Sequence, residues 1–327
     1  LIEGLDEAAA GGQRRTGFRV LWITPLRALA GDTVHNLAAA AAGVGLDWRI
    51  EKRTGDTSSS ARTRQRRRPP EALVTTPESL SLLLSYRDAG QQFEALQAVI
   101  VDEWHELIGT KRGVQLELCL ARLRRLSPGL RTWGLSATLG NLDEARDCLL
   151  GAGTTAGRLV EGPPARPIDI RTLEPETAER FPWAGHLGTR LIDGVIAELE
   201  GPGSCLLFTN TRSQAELWFE SLVRARPDWI EGLGLHHGSI DRSLRDRIEA
   251  GLAAGAFRCV VATASLDLGV DFAPVDRVIQ VGSPKGVARL AQRAGRSGHQ
   301  PGRRSTVLCV PTNALEMVEI AAARRAW

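Results

Sequence analysis

The apolar run Ala98-Val99-Ile100-Val101 ends in two adjacent acids, Asp102 and Glu103. A short apolar run rich in β-branched residues reads as a buried strand. In an open α/β sheet, the C-terminal ends of the strands are where ligands bind. Two carboxylates there match Mg²⁺ on a nucleotide phosphate, because Mg²⁺ takes one or two carboxylates and fills its shell with water and phosphate oxygens. The second acid can then orient or activate an attacking water. Taken alone, the pair also fits a solvated exit from strand to loop.

The rest of the chain repeats this arrangement. Phe18–Ile23, Ala72–Thr75, Ala98–Val101 and Thr132–Leu135 read as strands, as do Ser204–Phe208, Cys259–Ala262, Arg277–Val281 and Thr306–Val310. Amphipathic stretches such as Gln115–Leu126, Ser213–Ala225 and Arg242–Ala253 lie between them. Strands alternating with helices imply parallel sheets covered by helices. The segment Glu161–Phe181 breaks the rhythm with Pro163, Pro164, Pro167 and Pro175, so it reads as a linker. The expected plan is α/β with two domains, residues 1–160 and 183–327, joined through 161–182. A length of 327 residues suits two domains.

Composition excludes several classes. The formal net charge is only +3, so no global field argues for nucleic acid. Lysine occurs only at Lys52, Lys111 and Lys285, so 38 of the 41 basic residues are arginine, a bias typical of GC-rich, bacterial coding sequence. Five cysteines lie far apart, at 119, 148, 205, 259 and 309, with neither zinc-ligand spacing nor an even count for a disulfide framework. No run of 18 apolar residues exists, so no membrane span is expected, and the location expected is the cytoplasm. The one dense charge cluster is Arg62–Pro70, either a solvated loop or a phosphate-contacting one.

Polar signatures follow the strands in order. The first half carries Thr24-Pro25-Leu26-Arg27, Thr54-Gly55-Asp56-Thr57, Thr75-Thr76-Pro77-Glu78, Asp102-Glu103-Trp104-His105 and Leu135-Ser136-Ala137-Thr138. The second carries Thr209-Asn210-Thr211-Arg212, His236-His237-Gly238-Ser239, Thr263–Asp271 and Gln292-Arg293-Ala294-Gly295-Arg296-Ser297-Gly298-His299. This series resembles the superfamily 2 helicases of the DExH-box group, within it the large helicase-related (Lhr-like) family. Asp102–Leu107, Lys111–Gln115 and Trp133–Asn141 are similar to its ligase-associated bacterial branch.

The resemblance implies two RecA-like domains and an ATP-dependent helicase or translocase. It implies 3′-to-5′ movement on single-stranded DNA in repair, with a DNA ligase and a nuclease as possible partners. ATP and Mg²⁺ would be the cofactors. Asp102 would hold Mg²⁺, Glu103 would position water and His105 would sense the γ-phosphate, with Ser136 and Thr138 coupling to it. Gly269, Asp271, Gln292, Arg293 and Arg296 would serve the nucleotide, Arg296 as an arginine finger. Pro25, Arg27, Gly55, Thr76, Glu78, Asn210, Thr211, Arg212, His237 and Thr263 would contact the strand. Small hydroxyls, amides and arginines bind phosphate without reading sequence. The same residues are also ordinary turn formers.

One part of the pattern is missing. A G-x-x-x-x-G-K-[ST] phosphate loop is expected, yet no lysine follows a glycine: Lys52 follows Glu51, Lys111 follows Thr110 and Lys285 follows Pro284. The expectation is that the loop lies just upstream of Leu1 and accessory domains beyond Trp327, so that these 327 residues alone turn over no ATP. Three alternatives stay open. They are an ATP-independent nucleic-acid binder, an RNA helicase, and a serine hydrolase built on Gly134–Thr138 with His105 and Asp102. Phosphate contacts leave DNA against RNA undecided unless a residue reads the 2′-hydroxyl.

Overall fold

The computed structural model describes residues 17–137, 139–151, 157–162, 167–174, 188–267, 275–297 and 305–326. The chain divides into two compact units, Leu1–Glu161 and Gly162–Trp327.

Five strands form the sheet of the first unit: β1 (Val20–Ile23), β2 (Ile50–Arg53), β3 (Ala72–Thr75), β4 (Ala98–Val101) and β5 (Arg131–Gly134). Their order is β2-β3-β1-β4-β5, every neighbouring pair parallel. The helices among the described residues are α1 (Arg27–Gly43), α2 (Ser59–Arg67), α3 (Pro77–Leu84), α4 (Ala89–Phe93), α5 (Lys111–Leu126) and α6 (Leu142–Leu150). The polar side chains at their starts explain several of these helices. Thr110 caps α5 by accepting the Gly113 N–H, and Asn141 caps α6 by accepting the Glu144 N–H. Phe18, Leu21, Ile23, Leu73, Val99, Val101, Trp104 and Leu120 form one continuous core.

The second unit has six parallel strands: β6 (Ile168–Thr172), β7 (Cys205–Phe208), β8 (Leu233–His236), β9 (Cys259–Ala262), β10 (Arg277–Val281) and β11 (Ser305–Val310). Their order is β6-β11-β10-β7-β9-β8. The helices are α7 (Ile192–Glu200), α8 (Arg212–Ala225), α9 (Arg242–Ala253), α10 (Val287–Ala294) and α11 (Ala314–Ala326). Successive strand residues face opposite sides, so Leu206 and Phe208 enter one core while Cys205 and Leu207 enter another. The central strands β7 and β9, apolar and buried at every position, fit a parallel sheet covered on both faces.

The expected α/β plan of two RecA-like domains is the observed one. Three strands differ from the sequence reading. β2, β6 and β8 were not expected, and each is the edge of its sheet. β6 lies inside the stretch expected as linker and pairs with β11 from Ile168↔Ser305 to Thr172↔Cys309. The prolines on either side hide a five-residue strand. Four of the five cysteines are buried. Among the described residues no helix is long and apolar enough to cross a membrane.

Candidate nucleotide and nucleic-acid site

Parallel strands bring their C-terminal ends to one edge, and the polar signatures gather there. In the first unit β4 lies between β1 and β5, which places Asp102 between the ends of those strands. Trp22 of β1 donates its indole N–H to Asp102 Oδ2 at 3.1 Å, and the Glu103 N–H donates to Asp102 Oδ1 at 3.0 Å. Asp102 is half-buried and has no cationic partner among the described residues. Glu103 has φ 47° and ψ 48°, the left-handed region. For a residue with a side chain this conformation costs on the order of 1–3 kcal/mol and is found where a site needs it.

That turn leads into His105. The Ala137 N–H donates to His105 Nδ1 at 3.2 Å, and Ser136 Oγ lies 3.1 Å from the same nitrogen. A backbone N–H can only donate, so Nδ1 is the acceptor and the neutral ring carries its proton on Nε2. Nε2 points towards Glu106 Oε1, 3.8 Å away, while Glu103 Oε2 stands 3.6 Å from Nδ1. The loop after β5 therefore reads the acidic turn after β4 through one imidazole. The triad expected for the hydrolase alternative, Ser136 with His105 and Asp102, is not assembled. A serine nucleophile needs a histidine oriented by an acid on its other nitrogen. Asp102 is bonded instead to Trp22 and to its own chain.

A second cluster follows β1, β2 and β3. The exposed Arg27 pairs with Asp56 at 2.7 Å, and its guanidinium lies against Gly55, where an added Cβ would meet Arg27 Nη2 at 2.7 Å. Glycine at 55 is what permits this stacking. Glu78 is gripped by both Arg112 Nε and Nη2. Burial pushes the Glu78 carboxyl up, but Arg112, its own backbone N–H and the Thr76 hydroxyl outweigh this and hold it below the usual range.

In the second unit, Thr211 caps α8 by accepting the Gln214 N–H at 3.2 Å. The exposed Arg212 reaches Ser239 on the loop after β8. Asn210 donates its side-chain amide to the Ser283 carbonyl at 2.8 Å. Further along, Arg293 on α10 is 1 % exposed. It forks onto Asp267, Nε to Oδ1 at 2.7 Å and Nη2 to Oδ2 at 2.9 Å. Its Nη1 donates to Gln280 of β10, and its guanidinium lies 4.7 Å from the Phe208 ring centroid. The main chain of Asp267 holds a second arginine: its carbonyl accepts from Arg296 Nη2 at 2.8 Å.

Family comparison agrees with both units. Residues 1–145 match the DEAD/DEAH box helicase family, and residues 189–300 match the helicase conserved C-terminal domain. The ATP-dependent helicase Lhr-Core of Methanothermobacter thermautotrophicus is 35% identical over 333 residues, covering 98% of this chain and 39% of that protein. The chain carries the paired helicase domains of the Lhr-like proteins. The Lhr helicase/uracil glycosylase of Escherichia coli is 32% identical over 373 residues, covering 98% of this chain and 24% of that protein. The solved Mycobacterium smegmatis helicase Lhr, bound to ssDNA and AMP-PNP, superposes with TM-score 0.78 at 31% identity, covering 99% of this chain and 44% of that one. The chain thus spans less than half the length of these relatives.

Within this helicase core, some expected site residues are placed differently. Arg293, expected at the nucleotide, is committed to Asp267 and Gln280 inside the unit. Pro25, Thr76 and His237, expected on the strand track, are buried. The His237 ring lies 3.2 Å from Glu216 and accepts the Ser239 N–H. Arg27, Gly55, Glu78, Thr211 and Arg212 are exposed, and Asn210, Thr263, Gln292 and Arg296 are intermediate. Thr138, Gly269, Asp271 and His299 lie outside the described residues.

Sequence reasoning missed Trp22, Arg112, Asp267 and the buried His236. The His236 ring joins Glu249 of α9, at 2.9 Å from Nε2, to Ser265, at 2.7 Å from Nδ1. A histidine followed by a second one at a strand end was the only available signal for it.

Proposed function

We propose that these two domains power an ATP-dependent nucleic-acid helicase, with ATP and Mg²⁺ as cofactors. The observation that carries the reading is the turn at Asp102–Glu103. A half-buried carboxylate at the end of a parallel strand, held by two neutral N–H donors and matched by no cation among the described residues, suits a divalent ion. Among the described residues no group of three or more His, Cys, Asp or Glu could cage a metal. That also suits Mg²⁺, which takes few protein carboxylates and completes its shell with phosphate and water. Bound there, Mg²⁺ would neutralise charge on the transferring phosphoryl group.

In this reading Asp102 holds the ion and Glu103 orients the hydrolytic water. His105 keeps Nδ1 as acceptor for Ser136 and Ala137, and so ties the loop after β5 to the acidic turn. Arg296 supplies positive charge to the phosphates. Arg27, Gly55, Arg212 and Asn210 take phosphodiester oxygens of a strand. The finer reading is 3′-to-5′ movement on single-stranded DNA in repair, in the ligase-associated bacterial branch, with a DNA ligase and a nuclease as partners. Its support is the resemblance of Asp102–Leu107, Lys111–Gln115 and Trp133–Asn141 to that branch. The DNA preference has further support from the ssDNA-bound mycobacterial relative.

A second reading, an ATP-independent binder, rests on the lack of a G-x-x-x-x-G-K-[ST] loop in these 327 residues. One assay separates the two. The full natural protein should hydrolyse ATP faster with single-stranded DNA than with RNA, and displace a strand from a 3′-tailed duplex. Nucleic-acid binding without stimulated hydrolysis would leave the binder reading standing. Faster turnover with RNA would make it an RNA helicase.

A further inference from the structure

The arginine cluster after β2 is a helix with two distinct faces. α2 turns Arg62, Gln65 and Arg66 towards the unit. Arg62 donates to the carbonyls of Gly55 and Thr54, at 2.8 and 3.2 Å. The buried Gln65 donates to Glu51 and to the Lys52 carbonyl, each at 3.0 Å. Arg66 forks onto Asp88 at 3.0 and 2.9 Å and covers the Tyr86 ring. The other face lies at helical spacing of three and four residues. Ser59, Ser60, Thr63, Arg64, Arg67 and Arg68 line an open depression of about 540 Å³.

The charges on the two faces do not balance. Each nearby acid already has an arginine: Asp88 has Arg66, Glu51 has Arg64, Glu71 has Arg49 and Asp56 has Arg27. Arg67 and Arg68 are exposed and have no acidic partner among the described residues. The lining combines three hydroxyls with three guanidiniums, which are groups that bond phosphate oxygens, the guanidinium bidentately. It has no aromatic or aliphatic anchor, so it lacks what centres a protein–protein interface.

We propose that this outer face of α2 binds the phosphodiester backbone of nucleic acid, as an extension of the track beyond Arg27 and Gly55. The start of the helix adjoins that track, because Arg62 ties it to the carbonyl of Gly55, the residue packed against the Arg27 guanidinium. The inference rests on the nucleic-acid reading above and adds a contact surface to it. Arg67 and Arg68 supply the charge, while Ser59, Ser60 and Thr63 add neutral donors.

The test is the salt dependence of single-strand binding by the 327-residue chain. Each neutralised phosphate contributes a log–log slope of about −0.7. The double variant Arg67→Gln/Arg68→Gln should therefore flatten the slope by about 1.4, and Arg67→Lys/Arg68→Lys should restore most of it. Arg27→Ala serves as the separate probe of the track. If Arg27→Ala flattened the slope and the double glutamine variant did not, the α2 surface would be wrong and the helicase reading would stand. If the wild-type chain showed no salt-dependent binding, both would fall. If the glutamine variant lost only binding to polyglutamate, the surface would be a seat for an acidic protein and the proposal overturned.

Discussion

Two charged clusters stand at comparable places, each beyond the C-terminal end of a parallel strand, and they are built in opposite ways. At Asp102–His105 the first unit leaves its acids half-buried, binds Asp102 only through neutral donors, and accepts a left-handed backbone at Glu103. At Asp267–Arg293 the second unit buries its charges, pairs them bidentately and covers the guanidinium with Phe208. The first arrangement sacrifices stability to keep an acid available. The second uses a complete ion pair to pin α10 to the sheet, while the Asp267 carbonyl accepts from Arg296. The similar side chains of Asp102 and Asp267 thus stay without an ionic partner among the described residues in one place and complete a scaffold in the other. Burial and partner geometry make the difference.

The comparison breaks most sharply at Asp267. Asp267→Ala leaves a buried guanidinium without its carboxylate and should cost about 3–5 kcal/mol in denaturant unfolding of the second unit. Replacing both partners, as Asp267→Leu/Arg293→Met, should recover most of that loss. A single-variant loss below about 1 kcal/mol would show that the pair is no scaffold.

Glu103 should respond the other way. Glu103→Gly frees the left-handed position and should stabilise the first unit by on the order of 1 kcal/mol. A destabilised variant would mean that the Glu103 side chain contributes more than its backbone costs.

The smallest effect is a pH dependence. Burial lowers the His236 pKa further than Glu249 raises it, with Arg245 and His237 lowering it too. A histidine depressed in the folded state favours its neutral form there. Its contribution is complete above the unfolded value of about 6.5 and is lost as pH falls from there through the folded value. Denaturant midpoints at about pH 7.5 and about pH 5.5 should therefore converge in His236→Gln relative to wild type. An unchanged pH difference would remove His236 from the account.

Much of this was legible in the sequence. Strands buried at every position, such as Cys205–Phe208 and Ala72–Thr75, could be read because both faces are buried and nearly every residue is apolar. β2, β6 and β8 could not, because an edge strand has fewer neighbours to satisfy and can carry Glu51, Asp169 or Gly234. The polar signatures marked the strand ends, since these are punctuated locally. They did not show which side chains are consumed internally. Arg293 meets Asp267 from 26 positions earlier, and Trp22 meets Asp102 from 80 positions earlier. Both contacts depend on strand order, which no local pattern encodes.

On the proposed function, the acids at the end of β4 form a hydrolytic centre and not a solvated exit. Glu103→Gln in the full natural protein tests it most directly, because the amide keeps the shape and loses the basicity. ATP turnover with single-stranded DNA should fall on the order of 10²–10⁴-fold while ATP binding is kept. Turnover within a few-fold of wild type would contradict it.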